Sequence, residues 1–406
     1  MKQFAAENCV KKHILPLVEG KLTTSQIPTL SSFSKELLSG ICRHWLCLNH
    51  ILDLSMKKKT THKNLRLLLL IGIYRLYHQP SSDPKTIIKT CMKLAEIWGL
   101  SHNKPLIYGV LNRQLKTPYN TDEFSDEIKY SLPSWLYTKI CSVFKHNASV
   151  VLKAQLRRPD YWIQVFNSSG ITEEMQIPDN NYPLAAKFNK PDHITAKQGY
   201  DDGAWQITDL STQIMLNYLP ETLTTIVDAC SAPGGKAIGV AKKHPRAVVE
   251  AVEIELKRIP KMEENIQRMG LKNINIIPGD FLTYSKKNVD LVWVDAPCSG
   301  TGVLKKHPEI KYRLSIDKIE QYQEQQLKLL EHAYLCVKNH GTIFYSTCSI
   351  LDEENDDVIA LFIKNHPKTK ILSPQKSDYS ESRLYGELFL IDQTNGGYLS
   401  RLEIDK

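Results

Sequence analysis

The sequence predicts a multidomain chain: an all-α front domain, a small α+β middle segment, and a C-terminal α/β domain built on a doubly wound, mostly parallel sheet. Three observations predict it. The chain has 406 residues, the length of two or three domains. Residues 1–116 carry helical periodicity with no strand pattern competing. From about residue 221, short β-branched runs alternate with helices, the rhythm of a parallel α/β sheet. The corresponding domains are 1–128, 129–200 and 201–406.

In the front domain, "FSKELLSGICRHWLCLNHILDLSM" spaces Phe33, Leu37, Leu38, Ile41, Trp45, Leu48, Ile51 and Leu52 along one helical face. "NLRLLLLIGIYRLYHQP" is nearly apolar throughout, as a central bundle helix would be, and Pro80 closes it. "SSDPKTII" reads as an N-cap followed by proline in the first turn. In the middle segment, "LPSWLYTKICSVF" reads as a helix and "DYWIQVFNSS" as a strand, while 178–199 is loop-rich. Further on, "TTIVDA", "AVVEAVEI", "INIIPGD", "VDLVWVDAP" and "GTIFYSTCS" read as five successive strands. A long helix is expected over roughly 317–338 and another over "EENDDVIALFIKNH", with "ELFLID" and "GYLSRLEI" as a terminal hairpin.

Composition excludes several classes. No apolar run approaches the roughly 20 residues of a membrane helix, and no secretory leader pattern is present. Nine scattered cysteines form no CxxC pair and no zinc spacing, which favours reduced thiols and a cytoplasmic protein. The net charge of +8 is uneven: residues 1–150 hold 21 Lys and Arg against 10 Asp and Glu. A basic front half suits a polyanionic partner, though lysines also simply keep a helical domain soluble.

Candidate functional residues gather at the carboxyl ends of the strands, where open α/β sheets bind ligands. The first strand runs into "DACSAPGGK", whose Cys230, Ser231, Ala232, Pro233, Gly234, Gly235 and Lys236 form a glycine turn entering a helix. It is neither a GxGxxG fingerprint nor a P-loop, and it suits a nucleoside bearing a carboxylate better than a triphosphate. The second strand ends in Glu253, placed to accept ribose hydroxyls, and the third in Asp280, placed to meet an adenine amino group. The competing reading of each acid is a solvated charge or a helix cap. Together the three strand ends point to S-adenosyl-L-methionine rather than NAD.

The fourth strand ends in Asp295 with Cys298 just beyond, and the fifth in "STCS" with Cys348. If these strands are neighbours, about 5 Å apart, both thiols face one pocket. A thiol beside a methyl donor has a specific use. Carbon 5 of a pyrimidine is too weak a nucleophile until a thiolate adds at carbon 6. An acid such as Asp295 can then hold nitrogen 3 and the exocyclic amine, and a second thiol can assist removal of the carbon 5 proton. These residues alone leave open which cysteine attacks.

The stretches "DACSAPGGK", "DAPCSGTGVLKKHPEIK" and "STCSILDEEN" resemble the successive motifs of the Nol/Nop/Sun RNA cytosine-5 methyltransferases. "ELLSGICRHWLCLNHIL", "LLLIGIYRLYHQP" and "YGVLNRQLK" resemble the antitermination factor NusB. The combination is similar to the bacterial RsmB (Sun, Fmu) type, and the likeness covers nearly the whole chain. It implies an all-α NusB-like RNA-binding domain and a Rossmann-like S-adenosylmethionine-dependent methyltransferase domain. It further implies that Cys348 is the nucleophile and that Cys298 assists release. Cys230–Lys236, Glu253, Asp280 and Asp295 would hold the cofactor, with Asp295 also facing the base and Lys236 near both.

The implied activity is methylation of carbon 5 of a cytosine in small-subunit (16S) ribosomal RNA, by a cytoplasmic monomer using no membrane and no metal. The alternatives are the same chemistry on transfer RNA and a non-catalytic ribosome-assembly factor. The chain departs from the family pattern at Thr208, where glutamine is usual, at Asp352, where proline is usual, and at "TNGGYLSRL", where an acidic-Gly-aromatic run is usual.

Overall fold

The structure is a computed structural model; it describes all residues except 1–3, 28–30, 61, 80, 167–170, 180, 183, 189–193 and 374–376. Two compact units are present: Met1–Arg157 with Leu304–Arg313, and Arg158–Val303 with Leu314–Lys406.

The first unit is helical: α1 (Ala5–Val18), α2 (Ser32–Arg43), α3 (Trp45–Ser55), α4 (Lys63–His78), α5 (Pro84–Ile97), α6 (Lys104–Lys116), α7 (Asp126–Lys129), α8 (Ser134–Phe144) and α9 (Ala148–Ala154). The apolar α4 is its centre. Leu68, Leu69, Leu70, Ile71 and Ile73 are fully buried, and α1, α2, α3, α5 and α6 pack around them. The single amphipathic stretch expected after Phe33 is two helices, because the backbone at His44 leaves helical geometry at φ −104°, ψ 17°. α5 starts as read: Asp83 accepts from the N–H groups of Lys85 and Thr86, and Pro84 fills the first turn. Pro80, expected to close α4, lies outside the described residues.

Leu304–Arg313 belongs to this helical unit, although by sequence it continues the loop of Cys298. It carries α13 (Ile310–Arg313). Lys311 donates to the carbonyl of Arg43 at 2.7 Å and the Tyr312 hydroxyl to the carbonyl of Cys42 at 3.0 Å. Burial pushes Lys311 down to about 7.

The second unit holds two sheets. The smaller is antiparallel: β1 (Trp162–Val165) pairs with β3 (Ala185–Phe188) and β4 (Trp205–Ile207), and β2 (Met175–Gln176) flanks β3. It closes a core of Ile163, Val165, Met175, Ala186, Phe188 and Trp205. β3 falls within the stretch expected to be loop; flanking Pro and Asn hid a strand that pairing with β1 stabilises.

The larger sheet has nine strands: β5 (Thr225–Asp228), β6 (Val248–Glu253), β7 (Ile274–Pro278), β8 (Val289–Asp295), β9 (Val337–Thr347), β10 (Lys370–Ile371), β11 (Ser380–Ser382), β12 (Glu387–Phe389) and β13 (Gly397–Glu403). Its order is β11-β12-β13-β9-β8-β5-β6-β7, with β10 on β13. β7, β6, β5, β8 and β9 are parallel, and β13, β12 and β11 are antiparallel additions, including the expected terminal hairpin. The helices are α10 (Leu210–Asn217), α11 (Gly235–Lys243), α12 (Ile259–Arg268), α14 (Ile316–Cys336) and α15 (Asp356–Asn365). From β5 the chain moves outward through β6 and β7, then returns to β8 on the other side of β5. The carboxyl ends of β5 and β8 therefore flank the crevice where strand order reverses. No described helix is long and apolar enough to cross a membrane.

One packing constraint in the helical unit is open to test. A Cβ built on Gly40 in α2 would lie 1.9 Å from the Tyr74 hydroxyl of α4. Gly40→Ala is expected to destabilise the helical unit by about 1–3 kcal/mol, read as a lower urea midpoint for its unfolding. An unchanged midpoint would show that Tyr74 moves aside freely.

Candidate active site

Parallel pairing of β8 with β9 sets the site. Asp295 lies opposite Ser346, and the N–H of Ala296 donates to the carbonyl of Ser346 at 2.8 Å. Both strands end at the same level, and the loops that follow carry Cys298 and Cys348. Their Sγ atoms are 3.1 Å apart. The N–H of Cys348 points at the Cys298 sulfur at 3.3 Å, and the N–H of Gly302 donates to the Cys348 carbonyl at 2.8 Å. A Cβ on Gly302 would sit 2.7 Å from that carbonyl oxygen, so only glycine lets the two loops approach this closely.

Behind the thiols, the Asp295 carboxylate is held at both oxygens. Oδ2 accepts from Lys236 Nζ at 2.7 Å, and Oδ1 accepts from the Ser346 hydroxyl at 2.8 Å. Ser346 is itself oriented by the indole N–H of Trp293 at 2.9 Å. Burial works against the Lys236 charge, but Asp295, Asp228 and Cys348 more than offset it and raise its pKa.

The glycine turn at the end of β5 borders a cavity whose walls include Thr208, Asp209, Asp228, Cys230, Lys236 and Asp295. Ser231, Ala232, Pro233 and Gly235 also line it; Gly234, at φ +96°, makes the turn into α11. Glu253 is 2% exposed, and its carboxylate accepts from the N–H of Ala232 at 2.9 Å and of Glu255 at 2.8 Å. It orders the turn directly, and each oxygen retains a further lone pair. Asp280 accepts from the N–H of Leu282 at 2.9 Å, the capping arrangement weighed as its alternative reading. Glu253, Asp280, Cys298 and Cys348 are not part of this cavity's lining. The strand-end acids nevertheless converge on Cys230: burial raises its thiol pKa, and Asp228, Asp295, Glu253 and Asp280 each add to the rise.

Sequence reasoning passed over one cavity group, Asp228, and marked another, Thr208, only as a departure from the family pattern. Asp228 is 2% exposed; Oδ2 accepts from the Ser231 hydroxyl at 2.8 Å, and buried Oδ1 has no partner. The buried Thr208 hydroxyl also has none. Asp228 had a signal, since it ends its strand as Glu253 and Asp295 end theirs. Two unpaired polar atoms in a cavity entered by a glycine turn fit a ligand with a polar, hydrogen-donating end.

Glu354 was passed over as well. The helix expected over "EENDDVIALFIKNH" starts later than its first acids: Asp352–Glu354 is a separate 3-10 turn ahead of α15. Asp352 begins that turn, and Glu354 turns inward. Its carboxylate accepts from the N–H of Ser299 at 2.7 Å and from the Ser349 hydroxyl at 2.5 Å.

The unpaired oxygen makes a pH-dependent cost measurable. Burial pushes Asp228 up to about 6 and Asp295 adds to the rise, while the Ser231 hydroxyl, the Lys236 charge and the backbone N–H of Cys230 pull it down. A folded pKa above the unfolded value of about 3.9 means that the ionised acid penalises folding above pH 6. The penalty fades as pH falls toward the unfolded value. Asp228→Asn is therefore expected to stabilise the protein by up to about 3 kcal/mol at pH 7.5 and to be near neutral at pH 4. Urea unfolding of both proteins at the two pH values checks this, and an equal effect at both would contradict it.

Comparison with known proteins agrees with this arrangement. Residues 214–395 match the family described as 16S rRNA methyltransferase RsmB/F, and residues 8–116 match the NusB family. Ribosomal RNA small subunit methyltransferase B of Photorhabdus laumondii is 30% identical, covering 95% of this chain and 91% of its own. The protein of the same name from Sodalis glossinidius is 31% identical, covering 82% of this chain and 81% of its own. The crystal structure of PH0851 superposes with a TM-score of 0.76 at 20% identity, covering 98% of each chain, and shows the same fold. Identity at this level along nearly the full length of a relative places the protein: the chain belongs to the RsmB/F family of 16S rRNA methyltransferases, with a NusB-family domain in front.

Proposed function

We propose that the protein transfers a methyl group from S-adenosylmethionine to carbon 5 of a cytosine in small-subunit ribosomal RNA, through a covalent bond between Cys348 and the base. The observation that carries this reading is the pair of thiols 3.1 Å apart, Cys348 one residue beyond β9 and Cys298 three residues beyond the neighbouring β8, which ends in Asp295. A single buried cysteine would need no chemistry to explain it. Two at adjacent strand ends, with a cation–carboxylate pair behind them, suit addition to an electrophilic ring.

The roles follow from the local charges. Lys236, whose ammonium interacts with Cys348, balances negative charge on that sulfur. Cys348 adds at carbon 6 of the cytosine, which makes carbon 5 nucleophilic. Asp295 and Lys236 form a hydrogen-bonded pair at the nitrogen 3 edge of the ring, and a proton passed from Lys236 Nζ through Asp295 to nitrogen 3 neutralises the charge that addition creates. Cys298, in contact with Cys348, assists loss of the carbon 5 proton, so that Cys348 leaves and aromaticity returns.

The cofactor would lie along Cys230–Lys236 and Asp295, with the unpaired oxygen of Asp228 toward its amino-acid end, and would extend beyond the cavity to Glu253 and Asp280. When bound, it supplies an electrophilic sulfonium methyl group. The basic helical unit would contact RNA phosphates, and single-stranded or unstacked RNA would present the base.

Incubation with labelled S-adenosylmethionine and small-subunit RNA tests the reaction. Label is expected in 5-methylcytosine at one position. Label in transfer RNA alone would overturn the substrate, and no transfer to any RNA would favour an assembly factor. Cys348→Ala is expected to abolish transfer while leaving the circular dichroism spectrum unchanged; residual methylation would contradict its role. Cys298→Ala is expected to accumulate a protein–RNA adduct visible as a slow band on a denaturing gel, and its absence would contradict a release role. RNA affinity is expected to fall log-linearly with salt, with a slope of about −0.7 to −0.9 per phosphate neutralised. A flat salt response would remove the helical unit from RNA binding.

A further inference from the structure

Glu354 is fully buried, and its carboxylate takes four hydrogen bonds. The donors are the Ser299 N–H at 2.7 Å, the Ser299 hydroxyl at 2.5 Å, the Ser349 hydroxyl at 2.5 Å and the Gln326 amide at 3.2 Å. Ser299 follows Cys298, and Ser349 follows Cys348. Gln326, from α14, also donates to the carbonyl of Pro297 at 2.9 Å, on the other side of Cys298. One carboxylate therefore ties the two cysteine loops to each other and to the helix behind them. Its neighbour completes the clamp: Asn355 accepts from the Thr347 hydroxyl at 2.7 Å and donates to the Ser349 carbonyl at 3.1 Å.

A neutral residue could supply hydrogen bonds here. A buried carboxylate is an expensive choice, because desolvation opposes its charge. Burial does raise the Glu354 pKa, partly countered by the bonds from Ser299, Ser349 and Gln326. The charge must then be sought in its effect on its surroundings. Resting on the reaction proposed above, we infer that Glu354 is the positioning residue that gives the two cysteines different roles. Its hydrogen bonds hold the two loops in contact, and its negative charge disfavours a second anion at Cys298, so that the nucleophilic anion forms at Cys348.

The surroundings of the pair are asymmetric in geometry: Glu354 takes both the N–H and the hydroxyl of Ser299, and Gln326 joins it to Pro297 on the other side of Cys298, whereas it reaches the Cys348 loop through the Ser349 hydroxyl. Cys298 is raised well above an ordinary thiol by its contact with Cys348, then by burial, then by the Glu354 charge, while the N–H of Gly300 acts the other way. Cys348 has the Lys236 ammonium as its charged neighbour. Among the described residues, the titratable groups facing Cys298 are Cys348, Glu354 and Tyr345, whose hydroxyl donates to the Glu354 carbonyl at 2.6 Å; Gln326 on α14 is neutral. Glu354 is thus the negative charge acting on Cys298, as Lys236 is the positive charge acting on Cys348.

The test uses the full-length protein without RNA or cofactor. Iodoacetamide at sub-stoichiometric dose labels each thiol, and peptide mass spectrometry gives the rate at Cys298 and Cys348 across pH for the parent, Glu354→Gln and Glu354→Asp. In the parent, Cys348 is expected to react first. In Glu354→Gln, which keeps the shape and removes the charge, the Cys298 midpoint should fall by about one pH unit, a roughly tenfold gain in its rate relative to Cys348. Glu354→Asp keeps the charge and should leave the Cys298 midpoint near that of the parent. If the glutamine variant fails to fold, the aspartate variant still decides: a Cys298 midpoint moved down by a full unit overturns the charge assignment. An unmoved midpoint in folded Glu354→Gln overturns it equally. Labelling as expected with no methyl transfer would overturn the reaction and leave the thiol asymmetry standing, so the two failures are distinguishable.

Discussion

The pairing register of β8 and β9 is the constraint on which the site depends. Asp295 opposite Ser346 brings two loops off the sheet side by side, and everything chemical follows from that alignment. Side chains alternate faces along a strand, so a slip of one residue would turn Asp295 and Ser346 to the opposite faces of the sheet. It would also break the bond from Gly302 to the Cys348 carbonyl. The register is protected by β13, which pairs with β9 from Tyr398↔Thr347 to Glu403↔Thr342 and prevents β9 from being an edge. The antiparallel additions to the sheet thus serve the site, though they carry none of its candidate catalytic groups.

Around that alignment the charges are arranged in layers. Four strand-end acids converge on the glycine turn after β5, and Lys236 is the cation placed among them, paired with Asp295. Asp228 carries the cost of this crowding, with one oxygen buried and unpaired. Its strain is relieved by protonation or by a ligand that donates to it, which links stability of the free protein to occupation of the cavity. On the far side of the thiols, Glu354 is a second buried acid, fully hydrogen-bonded where Asp228 is not. One acid awaits a partner, and the other has all of its partners within the chain.

Much of this was legible in the sequence. The five parallel strands, the terminal hairpin and the apolar α4 follow from hydrophobic periodicity. The order of the motifs puts Cys298 and Cys348 beyond successive strands; that those strands are neighbours stood as a condition, which the pairing of β8 with β9 meets. What was hidden has physical reasons. His44 interrupts a periodicity that continues across it, so two helices look like one. β3 lies among turn-forming residues, and only its pairing with β1 makes it a strand. Glu354 sits in a run of five acids over Asp352–Asp357 that composition reads as solvated, and only the tertiary fold turns one of them inward. The inclusion of Leu304–Arg313 in the helical unit has no local signal, since the sequence continues without a break from the Cys298 loop.

The central claim is that two sulfurs address one base and that a particular one bonds to it. Ribosomal RNA carrying 5-fluorocytosine tests it most directly, because fluorine at carbon 5 blocks the elimination that frees the enzyme. Digestion of the trapped complex and mass spectrometry of the cross-linked peptide identify the attached residue. The account expects the nucleotide on the peptide containing Cys348, formed only when S-adenosylmethionine is present to carry the reaction past methyl transfer. A nucleotide attached to Cys298, or no stable complex with an RNA that the enzyme otherwise methylates, would contradict it.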